Sequence, residues 1–101
     1  MKKIIDGKKY DTDTARKIAS FDNGYGGGDF NWTRETLYKT RRGNFFLVGE
    51  GGPKSEWAER YGTTYSSGSG LRPISASAAL VWLERNGEAD IIEEHFSVEE
   101  A

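Results

Sequence analysis

The sequence predicts one α+β domain over residues 1–101, in which a small antiparallel β-sheet with a central hairpin is packed by three to four short helices. Two observations support this fold class. Residues 36–40 and 45–48 are runs of β-branched and aromatic side chains on either side of a four-residue turn. After residue 55, and again after residue 75, the spacing of apolar residues changes from two to about 3.6, which indicates helices.

The central hairpin is expected within residues 33–50, with Arg41-Arg42-Gly43-Asn44 as its turn. Gly43 can adopt the left-handed conformation that such a loop requires. The second run is apolar at every position, so we expect it to be covered on both faces of the sheet. Residues 71–74 should return as an edge strand, where Pro73 is tolerated.

The remaining elements follow from turn and cap residues. Residues 3–10 are expected to form a hairpin around Asp6-Gly7. Helices are predicted near 12–20, 55–61, 76–86 and 89–96, with flexible glycine-rich loops at 24–29 and 62–70. The residues expected to be buried together are Trp82, Leu83, Leu80, Phe46, Val48 and Ile18.

The composition excludes several classes of protein and gives no sign of a catalytic site. Cysteine is absent, which rules out disulfides and thiolate zinc sites. We expect a cytoplasmic protein with no membrane segment, because no apolar run approaches ~20 residues and no signal peptide is recognisable. His95 is the single histidine, and a Walker A loop ending at Lys54 would need glycine at positions 48 and 53. We therefore expect no enzyme, no metal and no cofactor.

Charge is distributed unevenly along the chain. Residues 1–43 carry a net charge of +4 and residues 44–101 a net charge of −6. Such asymmetry is typical of a solvated face or of an electrostatic docking surface. The candidate acidic face for a partner consists of Glu84, Glu88, Asp90, Glu93, Glu94, Glu99 and Glu100. The alternative basic face, which could follow nucleic-acid phosphates, consists of Arg34, Lys39, Arg41 and Arg42.

Several phrases of the sequence occur together in a recognisable order. They are Ile5-x-Gly7-x-x-Tyr10-Asp11-Thr12-x-Thr14-Ala15, Asn23-Gly24, Leu37-Tyr38-Lys39-Thr40-x-x-Gly43, Phe46-Leu47-x-Gly49-Glu50-Gly51-Gly52, Pro73-Ile74-Ser75 and Ala79-x-x-Trp82-Leu83-Glu84. In these phrases the chain resembles a family of small proteins carried by bacterial phages and integrative elements, some of them attached to a helix-turn-helix domain. Small acidic proteins of this kind include anti-CRISPR inhibitors, which act by binding an effector complex.

The resemblance implies a mobile-element protein that binds a host CRISPR effector and blocks its DNA binding or cleavage, with acidic DNA mimicry as the mechanism. It would act in the cytoplasm of the host bacterial cell, as a monomer or weak homodimer, without binding nucleic acid directly. The alternative is a small accessory or regulatory protein of a phage or integrative element, which would bind nucleic acid through its basic N-terminal half. The two hypotheses differ in which charged face is the interface.

Overall fold

The computed structural model describes residues 1–87 and 89–101 and confirms the α+β fold class. Across these residues there are two helices, where three to four were predicted. In chain order the elements are β1 (Lys2–Ile5), β2 (Lys8–Asp11), β3 (Arg16–Asp22), β4 (Thr33–Lys39), β5 (Phe45–Gly51), β6 (Glu59–Tyr61), β7 (Thr64–Ser66), β8 (Gly68–Ile74), α1 (Ala76–Asn86) and α2 (Ala89–His95).

A four-stranded antiparallel sheet in the order β3-β4-β5-β8 organises the molecule. The central hairpin was predicted correctly, since β4 and β5 pair with Leu37 opposite Leu47. Gly43 has a φ of 88° in the connecting turn, the left-handed conformation that the turn requires. Pro73 lies on β8, an edge strand, as expected from its missing N–H. The hairpin around Asp6-Gly7 is also present as β1 and β2.

The two faces of β5 are covered by different parts of the chain. Phe45 and Leu47 belong to the cluster beneath the helices, which also contains Leu37, Trp57, Ala79, Trp82 and Leu83. Phe46 points to the other face, where Tyr10 of β2 packs edge-on against it with ring centroids 5.6 Å apart. Since Phe45, Phe46 and Leu47 are all buried, the prediction that this strand is covered on both faces is confirmed.

The predicted single core is wrong in its membership. Trp82 and Leu83 are buried on the helix side, whereas Phe46 and Val48 lie on the opposite face with Tyr10. The physical reason is the strand period of two, which sends Phe46 and Val48 away from the face that Phe45 and Leu47 share. Leu80 and Ile18 are only partly buried.

The predicted helix at 12–20 is also wrong, because residues 16–22 form strand β3. The amide N–H groups of Thr14 and Ala15 both donate to the carbonyl of Asp11, so the chain makes one tight turn and then extends. β3 pairs along β4, with an irregularity in register between Lys17 and Ala19. Without this strand, the outer backbone groups of β4 would lose their hydrogen-bond partners, a non-local demand that outweighs local helix spacing.

The predicted helix at 55–61 is replaced by a turn followed by a hairpin. The Ser55 hydroxyl donates to the Gly52 carbonyl at 2.7 Å and accepts from the Trp57 amide at 3.2 Å. The chain then forms β6 and β7, joined through Gly62 at a φ of 63°. Trp57 is therefore buried while Tyr61 is exposed, and the segment 62–70 is largely strand rather than a glycine loop.

Helix α1 begins and ends at the residues that the sequence indicated. The hydroxyl of Ser75 accepts from the Ala78 amide at 3.0 Å, and the Gly87 amide donates to the Leu83 carbonyl at 2.7 Å. Helix α2 ends at His95, one residue before the predicted limit. Neither helix in the described part of the chain is long and apolar enough to cross a membrane.

Candidate functional site

Helix α2 carries an acidic stripe, defined here as Asp90, Glu93 and Glu94. All three side chains are exposed, while Ile91 and Ile92 are partly buried against the helix-side core. Residues separated by three and four positions lie on one face of a helix, so the three carboxylates point into solvent together. The structure thus brings together three of the residues predicted for the acidic face.

The other predicted acidic residues extend this surface in different ways. Glu84 is exposed on α1, and Glu99 and Glu100 follow α2 in a terminal segment without regular structure. Glu93, Glu99 and Glu100 line one open depression together with Phe96 and the exposed Val98. Glu88 lies outside the described residues.

One member of the acidic stripe is tied to a basic residue. Arg16, on β3, forms an ion pair with Glu94, and both side chains are more than half exposed. Burial lowers the pKa of the neighbouring His95, the cations of Lys39 and Arg16 lower it further, and Glu94 partly opposes this effect. The acidic stripe therefore ends where the basic part of the surface begins.

The structure divides the predicted basic face. Arg34 lies at the start of β4 and forms ion pairs with Asp22 at 3.3 Å and Glu50 at 3.1 Å. Lys39 lies at the end of the same strand, about 16 Å away at the usual rise per residue. Arg34 is thus partly neutralised and remote from the turn that carries Arg41 and Arg42.

Two lysines that sequence reasoning did not select join Arg41 and Arg42. Lys8 and Lys9 of β2 line a cavity of about 500 Å³ together with both arginines, and we call this cavity the basic cleft. The available signal was the Asp6-Gly7 hairpin, which places two lysines directly after its turn. The sequence could not reveal that this hairpin packs beside the turn between β4 and β5.

A buried carboxylate was also missed by sequence reasoning. Glu35, on β4, is 8% exposed and accepts hydrogen bonds from the indole N–H groups of Trp57 at 2.7 Å and Trp82 at 2.8 Å. Each carboxylate oxygen accepts one indole N–H, so Glu35 joins β4 to the turn that carries Trp57 and to helix α1. The alternation of Glu35 with Leu37 was the signal that placed it on the helix side.

The glycines at the end of β5 and just after it are in close contact with neighbouring segments. A Cβ atom on Gly49 would lie 2.0 Å from the Trp57 ring, and one on Gly52 would lie 2.6 Å from the carbonyl of Phe30. These close approaches account for the glycine-rich corner that superficially resembles a phosphate loop. Over the described ranges, no group of three or more histidine and carboxylate side chains is arranged to hold a metal ion.

Comparison of the chain with family models, with curated proteins and with solved structures finds no match in any of the three.

Proposed function

We propose that this protein is a non-enzymatic, anti-CRISPR-like inhibitor encoded by a mobile genetic element and active inside the host bacterial cell. It binds a host CRISPR effector as a monomer or weak homodimer, through the acidic stripe and the carboxylates beside it. These carboxylates occupy positions where DNA phosphates would lie, so that DNA binding or cleavage is blocked. The resemblance to small mobile-element proteins supports the setting, and the acidic stripe supports the mode of binding.

The observation that carries the proposal is the charge density of α2. From Asp90 to Glu94 the helix rises about 6 Å, so its three carboxylates follow one another at a mean spacing of about 3 Å along the axis. Duplex DNA carries one negative charge per about 1.7 Å of its axis. A groove that binds a DNA backbone would therefore meet negative charges spaced within about a factor of two of those on DNA, with Glu94 partly neutralised by Arg16.

The adjoining depression supplies exposed apolar surface, which a purely solvated charged face would lack. Glu93, Glu99 and Glu100 surround Phe96 and Val98, and Val98 is 58% exposed. Apolar surface beside charge contributes to affinity when it is buried, whereas the charges mainly speed association and select the partner. The acidic stripe and this depression together have the composition of a docking surface.

The test reverses the charge of the stripe without touching its ion pair. Asp90→Lys combined with Glu93→Lys leaves Glu94 and its contact with Arg16 in place. Purified CRISPR effector–guide complexes of each type are mixed with target DNA, and the cleaved fraction is measured against inhibitor concentration. We expect the double variant to lose inhibition. Inhibition by the unmodified protein should weaken as salt is added, because the distance over which charges interact shortens to ~8–10 Å and below.

The matched control makes the same change in net charge elsewhere on the surface. Glu56→Lys combined with Glu59→Lys alters two exposed acids away from the stripe. Glu56 pairs with Arg72 at 3.6 Å, and because both side chains are largely exposed the loss of this pair should cost little stability. This control should inhibit as well as the unmodified protein, and both double variants should melt near its temperature, because exposed substitutions rarely exceed ~0.5 kcal/mol. Full inhibition by the Asp90 and Glu93 variant, or no inhibition of any effector by the unmodified protein, would refute the proposal.

A further inference from the structure

The strongest feature outside the acidic surface is the basic cleft between two hairpins. One wall is the start of β2, with Lys8 and Lys9, and the other is the turn between β4 and β5, with Arg41 and Arg42. Its volume of about 500 Å³ lies within the range of ordinary ligand sites. The acid among its lining residues is Asp11.

The four cations of the cleft differ from the paired arginines elsewhere. Arg16, Arg34 and Arg72 each have a carboxylate partner. Within residues 1–87 and 89–101, by contrast, Lys8, Lys9, Arg41 and Arg42 form no ion pair.

Nearby acids do not neutralise these cations. The Asp11 carboxylate accepts from the Asp13 amide at 2.9 Å, which fixes it to its own turn. Asp6 occupies the tip of the first hairpin, outside the residues that line the cavity. The cleft therefore keeps a net positive charge.

Both walls of the cleft are held in place by buried or bonded groups. Tyr10 is 7% exposed and packs on Phe46, which in turn stacks on Tyr38 with centroids 5.2 Å apart, so the first hairpin is anchored to the sheet. Across the other turn, the Thr40 amide donates to the Asn44 carbonyl at 2.8 Å. The Thr40 hydroxyl accepts from the Asn44 amide at 3.0 Å, which closes the turn that carries both arginines.

We propose that the basic cleft binds the phosphodiester backbone of a nucleic acid, independently of base sequence. Arginine guanidinium groups bind phosphate oxygens in pairs, and lysines add point charges that follow a chain of phosphates. The aromatic ring among the lining residues, Tyr10, is buried, so it offers no platform on which a base could stack. This function goes beyond the inhibitor proposal and does not depend on it.

Each phosphate contact made by a lysine or arginine contributes to the salt dependence of binding. Four contacts give a slope of log K against log salt of about −3.6 for duplex DNA and about −2.8 for single strands. Between 50 and 200 mM salt, duplex affinity should then fall about 10²-fold. Arg41→Ala combined with Arg42→Ala should reduce this fall to about tenfold.

The experiment uses fluorescence anisotropy with a 20-nucleotide DNA strand, the same sequence as RNA, and the DNA duplex, each titrated at several salt concentrations. Lys8→Ala combined with Lys9→Ala alters the opposite wall of the cleft and should flatten the slope as much as the arginine pair does. Lys54→Ala combined with Arg60→Ala is the control. It removes two exposed cations away from the cleft and has the same net charge as the two cleft variants. Thermal melts verify that each variant folds.

The salt dependence of the variants decides whether the cleft binds nucleic acid. Binding that weakens with both cleft variants and not with the control supports the proposal, whichever nucleic acid binds most tightly. It is overturned if none of the three probes binds at 50 mM salt, or if the control weakens binding as much as the cleft variants do. It is also overturned if inorganic tripolyphosphate binds the cleft and the nucleic acids do not. The Asp90 and Glu93 double variant should retain nucleic-acid binding, so failure of one proposal is distinguishable from failure of the other.

Discussion

The bonds between Glu35 and two tryptophans give a sharp prediction about stability. Replacing Glu35 with alanine leaves the buried indole N–H groups of Trp57 and Trp82 without acceptors. An unsatisfied buried donor costs about 1–3 kcal/mol, so the two together should lower the free energy of unfolding by about 2–6 kcal/mol. A domain of this size is typically stable by only 5–15 kcal/mol, and the variant should therefore be severely destabilised.

The free energy of unfolding is measured in urea with tryptophan fluorescence as the probe, and Glu35→Gln serves as the conservative comparison. Glutamine retains one acceptor oxygen and turns an amide N–H toward the second indole, so it should lose about half as much stability as alanine. A double-mutant cycle of Glu35→Ala with Trp57→Phe isolates the bond itself. We expect a coupling energy of about 1–3 kcal/mol, because phenylalanine no longer needs an acceptor.

Two results would refute this reasoning. If Glu35→Ala changes the free energy of unfolding by less than about 0.5 kcal/mol, the carboxylate is not a structural acceptor. If the effects of Glu35→Ala and Trp57→Phe simply add, the two groups do not share a bond in solution.

Two further predictions concern packing and pH. Gly49→Ala should lower the free energy of unfolding by about 3 kcal/mol, because the added Cβ atom would overlap the Trp57 ring. Gly70→Ala is the control and should be tolerated, because its Cβ atom would lie 3.5 Å from the same ring. Equal losses of stability for the two variants in urea unfolding would contradict this prediction. Burial and the cation of Lys39 lower the pKa of His95 below its unfolded value of about 6.5. The unfolded chain therefore binds this proton more readily than the folded chain does. The free energy of unfolding should fall as the pH drops through 6.5 toward the pKa of His95 in the folded protein. His95→Gln should show a smaller loss between pH 7.5 and pH 5 than the unmodified protein, and an identical pH profile would count against the assignment.

The parts of the fold that sequence predicted correctly are those set by local chemistry. The turn at Gly43 and the bounds of helix α1 each depend on a few neighbouring residues, and each is found where it was expected. Helix α2 follows from the same kind of local signal. The acidic stripe was therefore accessible, because it needs only the helical spacing of its own residues.

The parts that were missed depend on contacts between distant segments. Ala15, Ile18 and Ala19 have a spacing that suits a helix, yet the open edge of β4 requires a strand beside it. The basic cleft likewise requires that Lys8 and Arg41 meet, which depends on Tyr10 packing against Phe46. Local spacing does not encode such a contact, so Lys8 and Lys9 could not be selected from the sequence alone.

A depression on the surface connects the acidic stripe with the turn that carries Arg41. The ion pair between Arg16 and Glu94 joins the end of the acidic stripe to a depression that Arg41 also lines. Opposite charges that meet at one boundary create a steep change in potential over a short distance, and that change fixes the orientation of a charged partner more strongly than a uniform face would. A complex of protein and nucleic acid presents such a boundary itself, with basic protein beside phosphates. Under the two proposals made above, the acidic stripe would bind the basic protein and the basic cleft would bind the phosphates, one on each side of that boundary.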